Sequence, residues 1–221
     1  MNKNAMWILI LVPLACCAMT VTETVLVPAY GIKVGIRILL FAGSFLAYAL
    51  YFREPEMKQL FSPASVIPAL VLAVGAFVVL LGGYSLLREW IDLDAIAGEL
   101  TASQNISRDN FLLVSLYICL VNSFLEELFF RGFGYLTLRR HWGEIPAQVF
   151  SAAAFSLYHV SILSGWFPWW LFALLIWGLF VCGLLFNLLD YKGSLLPAWL
   201  LHGASNIAIN LIGYSMFDMM G

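Results

Sequence analysis

Long apolar segments follow one another along almost the whole chain, and they constrain its fold more than any other feature. Each is about 17–26 residues long, which is the length an α-helix needs to cross a bilayer. We place about seven predicted spans, at residues 5–28, 34–52, 65–87, 111–136, 147–163, 167–189 and 195–217. Since 62% of the residues are hydrophobic and only 11% are charged, a water-soluble core of this size could not enclose them. The runs are too long and continuous for barrel strands. The sequence therefore predicts an all-α, polytopic transmembrane helix bundle.

The charged residues between the spans indicate how the chain meets the membrane. Residues 88–104 are acidic and amphipathic, which is typical of a helix at the membrane surface. The formal net charge is −2 and there is no basic tail, so the predicted partner is the lipid bilayer and no nucleic acid is expected. An inside N-terminus is favoured by more basic residues on one side, namely Lys3, Arg53, Lys58, Arg139, Arg140 and Lys192 against Lys33, Arg37, Arg88 and Arg108. We expect an integral, multi-pass protein of the plasma membrane.

The fourth predicted span contains three charged residues in the stretch NSFLEELFFRGF, residues 122–133. Three ionised side chains facing lipid would cost on the order of 8–10 kcal/mol, so all three must face the interior of the bundle. In a helix, Glu127 and Arg131 lie about 40° apart on one face and can pair, whereas Glu126 points about 140° away from Arg131. One alternative for Glu127 and Arg131 is a purely structural role, in which the pair holds helices together. The leftover Glu126 is a candidate general base.

Two histidines lie inside predicted spans. His159 ends the stretch FSLYHV in span five, and His202 in span seven has Asn206 one turn later on the same face. Counted from the predicted span ends, Glu126, His159 and His202 lie about 15, 18–20 and 10 Å deep from the same membrane side. A single embedded histidine often only hydrogen-bonds neighbouring helices. Three groups at similar depth predict one polar site inside the membrane.

Three short motifs follow one another on three predicted helices. Glu126 to Gly132 reads EExxxRG, Phe155 to His159 reads FxxxH, and His202 to Asn206 reads HxxxN. Through these motifs, residues 111–217 resemble the CPBP family of intramembrane endopeptidases. That family includes the type II CAAX prenyl endopeptidases and bacterial relatives in bacteriocin processing, self-immunity and abortive infection. The resemblance implies a catalytic core formed by the last four predicted spans, over residues 109–221. Residues 1–108 then contain the N-terminal transmembrane helices and the interfacial segment.

The resemblance also implies an enzyme that hydrolyses a peptide bond of a membrane-associated or small peptide substrate. By motif position, Glu126 and His159 would activate a water molecule, and His202 and Asn206 would hold the oxyanion. The second glutamate and the arginine of EExxxRG would support the site.

The residues leave the cofactor open. His159 and His202 with a carboxylate from Glu126 or Glu127 suit a catalytic zinc with an open fourth position. The same residues equally form a metal-free base opposite the Asn206 amide. No HExxH motif occurs, so the usual zincin arrangement is excluded. We favour the metal-free mechanism and keep zinc as the alternative.

Two other functions compete with catalysis. Embedded carboxylates and histidines also build ion pathways, so a proton-coupled or ion transporter is one alternative. Transporters are commonly built from two related halves with broken helices, and the sequence has no such symmetry. The other alternative is a non-catalytic immunity or scaffold member of the same family, against which the intact motifs argue.

Overall fold

The computed structural model describes residues 3–53, 60–62, 66–104 and 106–219. Over these residues the chain forms helices joined by short connections and contains no strand. The helices are α1 (Lys3–Leu26), α2 (Tyr30–Phe52), α3 (Ile67–Trp90), α4 (Leu93–Gln104), α5 (Arg108–Trp142), α6 (Glu144–Leu163), α7 (Trp169–Leu189) and α8 (Leu196–Met219). The predicted all-α architecture is confirmed.

The number of spans differs slightly from the prediction. Within the described residues, six helices are long and apolar enough to cross a membrane, namely α1, α2, α3, α5, α6 and α7. The seventh predicted span corresponds to α8, a helix of 24 residues that is not among those six. The amphipathic segment predicted at the membrane surface contains α4, which has only 12 residues. The chain is therefore an integral, multi-pass membrane protein.

The helix ends follow from local sequence. At the start of α5, the side chain of Ser107 and that of Asn110 form a capping box, with Ser107 N donating to Asn110 Oδ1 at 2.9 Å. Gly143 separates α5 from α6 with a φ of +99°, a conformation that is strained for residues with a side chain. Helix α6 is interrupted at His159, which leaves that residue at the end of a regular helix.

Helix α5 spans 35 residues and carries the EExxxRG motif in its middle. Two stretches of it are π-helical, Tyr117–Asn122 and Glu127–Thr137, and they flank Glu126 on both sides. Such wider turns are frequent at functional sites because they change the direction of the side chains that follow.

One hydrophobic cluster joins the N-terminal helices to the helices that carry the motifs. Phe41 of α2 stacks on Phe129 of α5, with ring centroids 4.2 Å apart and an interplanar angle of 4°. Phe45 of α2 lies 5.5 Å from Phe133 of α5. The division at residues 108 and 109 stays a prediction, but residues from both sides of it share this core.

The positions of Lys33 and Arg37 correct the orientation argument. Both were assigned to the outer side of the membrane as markers of orientation, but both lie in α2 and are buried. They form ion pairs with Glu23 of α1 instead of facing water. A basic residue that is neutralised inside the bundle carries no information about the loops, so the count loses two of its members. Lys58 lies outside the described residues.

Candidate active site

Glu126, His159 and His202 come together from three helices. The Glu126 Oε2 atom lies 3.9 Å from His159 Nε2 and 3.7 Å from His202 Nε2. The side chain of Glu126 is 3% exposed, while that of His159 is 16% exposed, so the site is most accessible beside His159. The three groups that the sequence placed at similar depth therefore face one another.

The other nitrogen of each imidazole is already engaged. His159 Nδ1 lies 2.8 Å from the carbonyl oxygen of Phe155, and His202 Nδ1 lies 2.7 Å from Glu127 Oε1. Since both partners are acceptors, each Nδ1 must carry the proton and donate it. In a neutral imidazole this leaves Nε2 as an acceptor that faces Glu126. In an imidazolium, Nε2 carries a proton as well and becomes a donor.

Glu127 has two partners inside the bundle. Its Oε1 atom accepts the hydrogen bond from His202, and its Oε2 atom lies 3.3 Å from Arg131 Nε. The ion pair with Arg131 is the one that the helical spacing predicts. The contact with His202 was not predicted, because it joins residues 75 positions apart. Glu127 therefore sets the orientation of one of the two imidazoles at the site.

Arg131 is fully buried between aromatic rings. Its guanidinium carbon lies 4.1 Å from the ring centroid of Phe155 and 4.8 Å from that of Phe186. The face of an aromatic ring attracts a cation, more strongly where water is excluded. Phe155 lies one turn before His159. Its ring therefore stabilises Arg131, and its carbonyl oxygen accepts the hydrogen bond that orients His159.

Asn206 lies one turn after His202 in α8. Its Nδ2 atom donates to the carbonyl oxygen of Ile118, at 3.3 Å. Ile118 belongs to the first π-helical stretch of α5, so Asn206 joins α8 to α5 two turns before Glu126. The Asn206 amide has a second N–H, which that contact does not use.

The N-terminal helices reach the site through Asn122 and Arg37. Asn122 Nδ2 donates to Glu126 Oε1 at 2.8 Å, and Arg37 Nη1 donates to Asn122 Oδ1 at 2.6 Å. Neither Asn122 nor Arg37 was predicted to take part in the site. The signal available in the sequence was Arg37 inside an apolar predicted span, which requires a buried partner.

The connection between α7 and α8 is held by Asp190. Its Oδ1 atom accepts a hydrogen bond from the backbone N–H of Ala198 in the first turn of α8, at 3.1 Å. Asp190 is fully buried, and this burial, followed by the negative charge of Glu127, raises the pKa of the Asp190 carboxyl well above its usual range. The contact fixes the start of the helix that carries His202.

The donor set resembles that of a zinc site in chemistry but not in spacing. Two Nε2 atoms and one carboxylate oxygen are suitable ligands, and both Nδ1 atoms have the outer partners that metal-bound imidazoles usually have. Ligands about 2.0–2.1 Å from a tetrahedral zinc lie roughly 3.3 Å apart, and here Glu126 Oε2 lies 3.7 and 3.9 Å from the two nitrogens. Across the described ranges, no group of three His, Cys, Asp or Glu residues has the arrangement of a metal site. As they stand, these residues do not fit the ion.

Comparison with known proteins supports the motif-based resemblance. Residues 108–208 match the family model described as type II CAAX prenyl endopeptidase Rce1-like. The match begins at the start of α5 and ends within α8, so it contains all three motifs. The predicted relation to the CPBP family is confirmed over this segment. Comparisons with curated proteins and with solved structures gave no match.

Proposed function

We propose that this chain is an intramembrane endopeptidase, because residues 108–208 match the family model described as type II CAAX prenyl endopeptidase Rce1-like. It would hydrolyse a peptide bond in a membrane-associated or small peptide substrate. One observation carries the proposal: the free oxygen of Glu126 faces the Nε2 atoms of two histidines that come from two other helices.

In the proposed reaction Glu126 is the general base. A water molecule bound between Glu126 Oε2 and His159 Nε2 transfers a proton to the carboxylate as its oxygen attacks the peptide carbonyl. When the tetrahedral intermediate collapses, the carbon–nitrogen bond breaks and Glu126 returns this proton to the leaving nitrogen. The products are an amine and a carboxylic acid, which then releases its proton and becomes a carboxylate. His159 orients the water, because its Nε2 accepts when Nδ1 donates to Phe155.

The oxyanion would be held by His202 and Asn206. His202 Nδ1 already donates to Glu127, so Nε2 can donate only if the ring is an imidazolium. Glu127 fixes the orientation of this ring through Nδ1, which gives the second glutamate of the motif a part in positioning the oxyanion donor. The unused N–H of Asn206 is the second donor, and losing one such donor typically lowers kcat by about 100- to 1000-fold.

The proposal also covers the substrate, the membrane and the cofactor, and for the cofactor it keeps the metal-free mechanism. We propose a plasma-membrane location and, as substrate, a short peptide or the end of a membrane-anchored protein. No specific observation favours a transporter or a non-catalytic member of the family.

The test is cleavage of a peptide library by purified wild type and Glu126→Gln in detergent, read by mass spectrometry. The library contains prenylated and unprenylated versions of the same peptides. Glutamine keeps the size of the side chain and can accept from Asn122, but it cannot take a proton from water. We expect wild type to cleave and Glu126→Gln to purify equally well without cleaving. Glu89→Gln, which changes an exposed glutamate of α3, should cleave as wild type does. Cleavage by Glu126→Gln within a few-fold of wild type would remove Glu126 from this role.

A chelator distinguishes the two versions of the mechanism. In the metal-free version, dialysis of wild type against a chelator leaves cleavage largely intact, and the purified protein contains no stoichiometric zinc. In the zinc version, His159→Ala and His202→Ala both lose bound metal. Stoichiometric zinc in active protein, lost in both variants, would overturn the metal-free version.

A further inference from the structure

A continuous series of side-chain hydrogen bonds runs from the short helix α4 into the bundle. Lys33 Nζ donates to Gln104 Oε1 of α4 and to Glu23 Oε2 of α1, both at 2.9 Å. The other oxygen of Glu23, Oε1, accepts from Arg37 Nη2 at 2.9 Å. Glu23 therefore bridges the two basic residues of α2, all with side chains no more than 10% exposed.

The series continues from Arg37 to the candidate base. Arg37 Nη1 donates to Asn122 Oδ1 at 2.6 Å, and Asn122 Nδ2 donates to Glu126 Oε1 at 2.8 Å. A guanidinium has no acceptor and a carboxylate has no proton to donate. The amide of Asn122 can therefore have only one orientation, with its oxygen towards Arg37 and its NH2 group towards Glu126.

The charges along the series balance. Lys33 and Arg37 are the cations, and Glu23 and Glu126 are the carboxylates, so the four groups sum to zero when Glu126 is ionised. Glu23 is shared by both cations. Arg37 thus provides the countercharge of Glu126, but across one neutral residue and not by direct contact.

The neighbouring carboxylate provides a comparison. Glu127 pairs directly with Arg131. Neither of its oxygens is free to accept a proton at the site, since Oε1 accepts from His202 and Oε2 faces the guanidinium. A carboxylate whose two oxygens are both engaged in this way has a structural role. A base needs an oxygen that is free to accept a proton, and an amide spacer engages Oε1 of Glu126 while leaving Oε2 for water.

We propose that Asn122 and Arg37 are positioning residues for the reaction: Asn122 holds Oε1 of Glu126 so that Oε2 faces the two imidazoles, and Arg37 of α2 fixes Asn122. This inference rests on the proposed function, because it concerns the side chain assigned as the base. Arg37 lies outside the matched segment 108–208. The inference therefore gives the N-terminal helices a part in catalysis as well as in packing.

The decisive variant is Asn122→Asp. It keeps the size of the side chain and gives Arg37 a carboxylate partner, so the protein should fold with a Tm close to that of wild type. It removes the donor to Glu126 and places a second negative charge beside it, which displaces Oε2. With a peptide that wild type cleaves, we expect kcat to fall roughly 10- to 100-fold while KM changes little. A purely structural role of Asn122 predicts the opposite, an unchanged kcat.

Variants at Arg37 test the far end of the series. Arg37→Lys retains the charge but donates with a different geometry, and Arg37→Gln removes the charge. We expect kcat to decrease in the order wild type, Arg37→Lys, Arg37→Gln, with KM again little changed. Equal kcat for Arg37→Gln and wild type would overturn the part assigned to Arg37.

Asn187→Ala is the matched control. Asn187 is also a buried, hydrogen-bonded asparagine, with Nδ2 donating to the carbonyl oxygen of Gln148 at 3.1 Å, but it joins α7 to α6 and does not contact Glu126. Its loss should lower Tm and leave kcat unchanged. Failure of the two proposals is distinguishable. An active Glu126→Gln contradicts the proposed function itself, whereas an inactive Glu126→Gln with a fully active Asn122→Asp contradicts only the positioning role.

Discussion

At the scale of single residues, the buried charges of the motif are stabilised by different kinds of partner. Arg131 has a direct ion pair with Glu127 and two aromatic rings, while Glu126 has one neutral donor and two imidazoles. The direct pair leaves neither partner free for chemistry. Its contribution should therefore appear in stability, and the environment of Glu126 should appear in activity.

Glu127→Gln and Arg131→Gln should each lower the stability of the protein, by about 3–5 kcal/mol if the remaining charge stays buried. The double variant should lose less than the sum of the two, because it leaves no unpaired charge. The measurement is thermal unfolding in detergent for all four proteins. Arg88→Gln, at an exposed arginine, is the control and should change Tm little. Additive losses would show that the two residues do not stabilise each other.

At the scale of helices, small residues allow the backbones to approach closely. Lipid is as apolar as a leucine side chain, so helices in a membrane associate by close packing and hydrogen bonds. A Cβ atom at Gly203 of α8 would lie 2.8 Å from the carbonyl oxygen of Cys119 in α5. One at Gly183 of α7 would lie 2.9 Å from Cα of Ala152 in α6. Side chains of α8 also donate to α5 at this point, Trp199 Nε1 to the carbonyl oxygen of Leu120 at 3.0 Å.

Gly203→Ala should lower both Tm and kcat, because separating α8 from α5 moves the adjacent His202 away from Glu126. Gly183→Ala should lower Tm with a smaller effect on kcat, since that contact lies between α7 and α6. Gly178→Ala is the control, because a Cβ atom there meets nothing within 4 Å. It should leave Tm unchanged or raise it slightly, since alanine is favoured over glycine in a helix by about 1 kcal/mol. A Gly203→Ala protein that behaves like Gly178→Ala would contradict this account.

At the scale of the whole molecule, the N-terminal helices and the motif-bearing helices form one packed unit. Their contacts are apolar, as between Phe41 and Phe129, and polar, as between Arg37 and Asn122. Thr20 of α1 also lies within hydrogen-bonding distance of Ser161 of α6, at 3.4 Å. Removing the N-terminal helices would expose the apolar surface that the motif-bearing helices bury against them. It would also remove Arg37, the countercharge of Glu126.

A fragment of residues 109–221 expressed alone should therefore fold poorly and cleave no peptide. Expressing residues 1–108 as a separate chain in the same cells should restore part of the activity, because the two pieces bury complementary surfaces. The measurements are yield after gel filtration in detergent and cleavage of a peptide that the full chain cleaves. Restoration should fail when the first piece carries Arg37→Gln. Wild-type activity of the fragment alone would show that the predicted division at residue 108 separates independent domains.

Local features of the sequence were sufficient to predict the helices and one ion pair. A run of apolar residues as long as the membrane is thick can only be a helix, since every backbone polar group must be satisfied within its own segment. The pairing of Glu127 with Arg131 follows from a spacing of four residues, which any helix translates into proximity. The same rule made Glu126 the leftover carboxylate.

Only the tertiary structure decided which groups complete the site. His202 contacts Glu127, and Arg37 contacts Asn122, across separations of 75 and 85 residues. Such contacts depend on how helices are rotated and packed against each other, and a period of 3.6 residues says only which side chains share a face. For the same reason the sequence could not show that Lys33 and Arg37 are neutralised inside the bundle. Their partner Glu23 lies on another helix, and two helices satisfy each other's charges only once they are packed together.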